Sequence, residues 1–86
     1  MAELIAGEHY GQLQEFVDRL YEDLDEEAEL SRFDVITYGS IYDIHEDLQE
    51  VLSLLPTGKF SRLRLCSQLN SIISSHSWSF RFGTVE

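Results

Sequence analysis

Residues 32–38 read RFDVITY and are followed by Gly39 and Ser40. Phe33, Val35 and Thr37 alternate with Asp34, Ile36 and Tyr38, and β-branched and aromatic residues dominate, which is the pattern of a strand. A helical reading competes, because Val35, Tyr38, Tyr42 and His45 are spaced by three or four. Two neighbours favour the strand. A glycine inside a helix costs about 1 kcal/mol relative to alanine, and Ser40 is a ready N-cap for a helix that starts after it.

Upstream, residues 10–29 predict a helix. Leu13, Phe16, Val17, Leu20 and Leu24 recur at the spacing that builds one apolar face, with Glu15, Asp18, Glu22, Asp25, Glu26 and Glu29 on the other. Downstream, Ile41, Ile44, Leu48, Val51, Leu52 and Leu55 predict the buried stripe of a second helix over 41–54, ended by Pro56 and the turn Thr57-Gly58-Lys59. Ser61 then caps a third helix over 62–75, with Leu65, Leu69, Ile72 and Ile73 inward and Cys66 beside them. Trp78, Phe80 and Phe82 alternate with Ser79 and Arg81, which predicts a terminal strand ended by Gly83. A lone strand leaves its backbone groups unpaired, so the two strands are expected to pair, with residues 2–6 as a candidate third. The expected fold is a small α+β domain over residues 1–86, in the order α-β-α-α-β, with three helices and a two- or three-stranded sheet.

Charge is split along the chain. Residues 1–50 carry fifteen of the sixteen carboxylates against Arg19 and Arg32, a net charge of −13. Residues 51–86 carry Lys59, Arg62, Arg64 and Arg81 against Glu86, a net charge of +3. Such asymmetry speaks of partners rather than of fold. As helices, the acidic segments are poorly arranged for stability. Asp43 with Asp47, Glu46 with Glu50, Glu22 with Glu26 and Asp25 with Glu29 are like charges four apart, each repulsive by a few tenths of a kcal/mol. A surface built for solubility alone interleaves lysines.

The expected activity is therefore binding. The acidic helices would dock on a basic, nucleic-acid-binding surface of a partner protein, as a nucleic-acid mimic of the anti-restriction, anti-CRISPR, antitoxin or immunity type. The residues expected to carry it are Glu15, Asp18, Glu22, Asp25, Glu26 and Glu29, then Asp43, Asp47 and Glu50. The alternative is a small winged-helix-like DNA-binding regulator. It would place the third helix in the major groove and use Lys59, Arg62 and Arg64, with Arg81 on the strand behind. Self-association between the acidic half of one copy and the basic half of another is a further use of the same asymmetry.

No catalytic or cofactor signature is present, so an enzyme is not expected. The serines match no nucleophile elbow, and no glycine-rich phosphate loop occurs. His9, His45 and His76 do not lie at ligand spacing from one another or from Cys66, so no metal site is expected. His45 is expected to be a half-buried histidine beside an apolar stripe, and Cys66 a small buried hydrophobe. The single cysteine, the absence of a basic-then-apolar leader pattern and the polar residues within 65–80 point to a cytoplasmic protein without a membrane span.

Overall fold

The structure, a computed structural model, describes residues 9, 11–25 and 27–86. The order is α1 (Gln12–Tyr21), β1 (Leu30–Ser31), α2 (Arg32–Ile41), α3 (Glu46–Ser53), β2 (Lys59–Phe60), α4 (Arg62–Ser75) and a single turn, α5 (Ser79–Phe82). β1 and β2 form a two-stranded antiparallel sheet, with Leu30 opposite Phe60 and Ser31 opposite Lys59. The class is the expected small α+β domain, built with one more full helix and with its strands in other places. The candidate strand at 2–6 lies outside the described residues.

RFDVITY is helical. Ser31 caps α2 through a reciprocal box: its hydroxyl accepts from the Asp34 backbone N–H at 3.0 Å, and the Asp34 carboxylate accepts from the Ser31 N–H at 3.2 Å. Gly39 lies inside the helix because its neighbours need the space. A Cβ there would stand 3.1 Å from Leu52 Cδ1 and 3.3 Å from Ile44 Cδ1. The helix then stops without a glycine. Asp43 takes a left-handed φ of 53°, its N–H donates to Ser40 O at 3.1 Å, and the Ile44 N–H donates to Gly39 O at 3.2 Å. That is a Schellman ending with Ile44 folded back on the helix.

The expected helix over 41–54 thus divides. Ile41 closes α2 with 64% exposure rather than joining a buried stripe, and α3 begins at Glu46, capped by His45, whose Nδ1 accepts from the Asp47 N–H at 3.1 Å. The helix expected over 10–29 stops at Tyr21, so Glu22, Asp25 and Glu29 stand on an irregular segment and not on a helical face. The terminal strand is also corrected. Ser77 adopts φ 58° and ends α4 with a second Schellman arrangement, Ser77 N–H to Ser74 O and Trp78 N–H to Ile73 O, and the chain then makes the helical turn α5. The third helix is as expected: α4 spans Arg62–Ser75, and Ser61 Oγ accepts from the Arg64 N–H at 3.2 Å.

One core joins all of these. Leu13, Phe16, Val17 and Leu20 of α1 meet Val35 of α2, Leu48, Val51 and Leu52 of α3, Phe60 of β2 and Leu65, Leu69 and Ile73 of α4. Phe82 and Val85 complete it. The final residues are held by side chains. Asn70 pairs with both backbone groups of Val85, at 2.9 and 2.8 Å, and Gln14 with both of Glu86, at 3.0 and 2.8 Å.

Candidate binding surface

The segment between α1 and β1 carries Glu22, Asp23, Asp25, Glu27 and Glu29, all exposed, with no ion pair to a cation among the described residues. Glu26 lies outside the described residues. The segment adjoins a cleft of about 530 Å³ lined by Tyr21, Leu24, Asp25, Ser61, Arg62, Leu63 and Glu86. Leu63, the second residue of α4, is 82% exposed there, and Leu24 is exposed as well. The apolar face read from Leu24 fails locally because α1 has ended before it.

The remaining predicted carboxylates part company. Asp18 is exposed but committed: the Arg62 guanidinium donates to it, and Gln14 Nε2 donates to the same oxygen at 3.0 Å. The bond from Arg62 holds the Asp18 carboxyl below its usual range, opposed by partial burial and aided by Gln14 and by the charge of Arg62. Glu15 and Asp43 line a second, smaller cleft with Arg19, Tyr42 and His45, in which the Arg19 guanidinium lies 4.1 Å from the centre of the Tyr42 ring. Glu50 is exposed on α3. Asp47 is half-buried and belongs to a different constellation.

That constellation joins residues far apart in sequence. His9, buried with 6% exposure, places Nε2 3.2 Å from Asp47 Oδ2. His45 places Nδ1 3.7 Å from the same oxygen, and the two imidazole rings lie 4.2 Å apart. Spacing along the chain could not reveal this. Thirty-six residues separate the histidines, and their meeting depends on the docking of α3 against the turn before α1.

Of the alternative basic set, Arg62 is engaged by Asp18 and also donates to Glu86 O at 2.9 Å. Lys59 and Arg64 are exposed, and the side chain of Arg81 lies outside the described residues. Arg32 is spent on the end of α3 and the residues after it, donating to Leu55 O and Ser53 O at 2.8 Å each. Cys66 is free and buried, and burial pushes its thiol pKa up, away from the thiolate a nucleophile needs. Among the described residues no helix is long and apolar enough to cross a membrane. Comparison with protein-family models, with curated proteins and with solved structures found no significant match.

Proposed function

We propose that the chain is a non-enzymatic inhibitor or adaptor that docks on a basic surface of a partner protein, of the kind that otherwise holds nucleic acid. The observation that carries this reading is the set of exposed carboxylates Glu22, Asp23, Asp25, Glu27 and Glu29, which have no cation partner among the described residues, beside the solvent-facing Leu24 and Leu63. Interfaces draw most of their affinity from a few central anchors inside a polar rim, and the carboxylates supply steering and register. The cleft offers both elements within one patch. The class includes nucleic-acid mimics, anti-restriction and anti-CRISPR proteins, and antitoxin or immunity proteins, acting in the cytoplasm.

The DNA-binding alternative has less support. It needs several phosphate neutralisations, and Arg62 already serves Asp18.

The test uses the intact chain as bait and duplex DNA as competitor. Host proteins should be retained at low salt, released by DNA or by raised salt, and lost from a Glu22→Lys/Asp25→Lys/Glu29→Lys variant that keeps its circular dichroism spectrum. Retention unchanged in that variant, or insensitive to DNA, would refute the reading. Salt-sensitive binding of the chain itself to duplex DNA at about 50 mM salt, lost in Arg64→Glu, would favour the alternative.

A further inference from the structure

Among the described residues six large apolar side chains stand exposed, and three of them, Phe33, Tyr38 and Ile41, lie on the ten-residue helix α2. The inward side of α2 is settled by Val35, which is buried, and by Gly39, which packs against Leu52 and Ile44. Phe33, Thr37 and Ile41 follow one another at four-residue steps on the other side. Phe33 is 75% exposed and Ile41 64%, with the smaller, partly exposed Thr37 between them. No charged residue occurs over 35–42. The Asp34 carboxylate, at the edge of the face, is occupied with the Ser31 N–H. An uncharged apolar strip on a chain of net charge −10 marks a surface that is covered in use. None of its residues lines the cleft beside the acidic segment.

We propose that a second copy of the chain covers this face, with the two α2 helices antiparallel about a two-fold axis at Thr37. The order of residues fits such a contact. A two-fold axis at Thr37 sets Phe33 of each copy against Ile41 of the other, so one patch is its own complement. Thr37 and Ser40, small and central, let the helices approach closely. The charges at the two ends of α2 select the antiparallel direction. At its N-terminal end Lys59, paired through the sheet with Ser31, is exposed and has no ion pair among the described residues. At its C-terminal end Asp43 follows the cap Tyr42, exposed and likewise without a cation. Antiparallel pairing brings Lys59 of one copy towards Asp43 of the other, twice, and sets the two helix dipoles in opposition. Parallel pairing would bring like ends together. The area fixes the strength. Phe33, Ile41, Thr37 and Ser40 offer roughly 400 Å² a copy, about 800 Å² in the dimer, the size of a weak and transient interface.

The test is sedimentation of the full-length chain over a concentration series from about 10 µM to 1 mM, in sodium chloride at about 20 mM and about 0.5 M. The average mass should rise from the 10.0 kDa of one chain towards twice that and stop there, with a dissociation constant on the order of 100 µM. Association should be tighter at the higher salt. Two copies of net charge −10 repel at long range, screening removes that repulsion, and rim pairs such as Lys59 with Asp43 are too weak to reverse the sign. Phe33→Gln/Ile41→Gln leaves the charge unchanged and alters only exposed side chains, and it should weaken the dimer at least about tenfold. Leu63→Gln, equally exposed but on α4, should leave it intact. A chain that stays monomeric throughout would overturn the proposal. So would association that falls with salt, the mark of an acidic surface meeting a basic one, or growth beyond the dimer. A dimer that Phe33→Gln/Ile41→Gln leaves intact, or that Leu63→Gln disrupts as strongly, would overturn it as well.

Discussion

Tyr21 shows how one polar atom ties the core together. Its hydroxyl donates to Phe60 O at 2.8 Å from a buried position, joining the last turn of α1 to β2. Burial pushes its pKa up to about 12, with smaller contributions from Cys66 and Glu29 and an opposing one from Arg62. The neutral phenol is the form the fold prefers. A raised pKa means that this contribution to stability is whole below the unfolded value of about 10 and fades as pH rises through 10 towards 12. Ultraviolet titration should therefore resolve a late tyrosine step that is absent from Tyr21→Phe. In urea at neutral pH, Tyr21→Phe should cost about 1–2 kcal/mol, because the Phe60 carbonyl is left without this donor. A titration curve that Tyr21→Phe leaves unchanged at its alkaline end would contradict the buried hydrogen bond. Nothing in the sequence marks Tyr21 as different from Tyr38 or Tyr42. Its partner is a backbone carbonyl 39 residues away.

At the scale of elements, helix ends decided which parts of the fold could be read. Ser61 before a polar-start helix was legible, and α4 begins where its cap predicts. Ser31 with Asp34 is the same device, but Gly39 obscured it. The cost of glycine in a helix is real, yet here it is set against the close approach of Leu52 and Ile44, a tertiary contact that no local pattern reveals. The two Schellman endings hid for a related reason. Their left-handed positions are filled by Asp43 and Ser77 and not by glycine, so the helices seemed to run on, or a strand to start, where the chain in fact turns. These ends predict opposite responses. Ser31→Ala should destabilise the protein by about 1 kcal/mol through loss of the capping bond. Ser77→Gly should stabilise it by a few tenths to about 1 kcal/mol, because glycine enters the left-handed region without a Cβ penalty. Both are read from urea midpoints at constant m. Equal midpoints for Ser31→Ala and wild type would mean that the box contributes nothing.

For the molecule as a whole, the charge asymmetry was legible but its geometry was not. The acidity is a matter of counting, whereas its placement on an irregular segment beside Leu24 and Leu63 followed from the early end of α1. This placement removes one cost. Asp25 and Glu29 are not helical neighbours, so the repulsion expected between them as an i,i+4 pair does not arise in that form. What remains is the diffuse self-repulsion of a chain with net charge −10. If the acidic segment is kept for a partner, the free protein bears that repulsion without local compensation, and stability and binding should respond in opposite directions. Asp25→Lys/Glu29→Lys should raise the urea midpoint modestly at about 20 mM salt, by no more than roughly 1 kcal/mol in stability given that surface charges are weak. The gain should shrink at about 0.5 M salt, where the screening length falls to a few ångströms. The same variant should lose affinity for the basic partner. A variant that is less stable than wild type at low salt would show that these carboxylates serve the fold, and the case for a binding role would go with it.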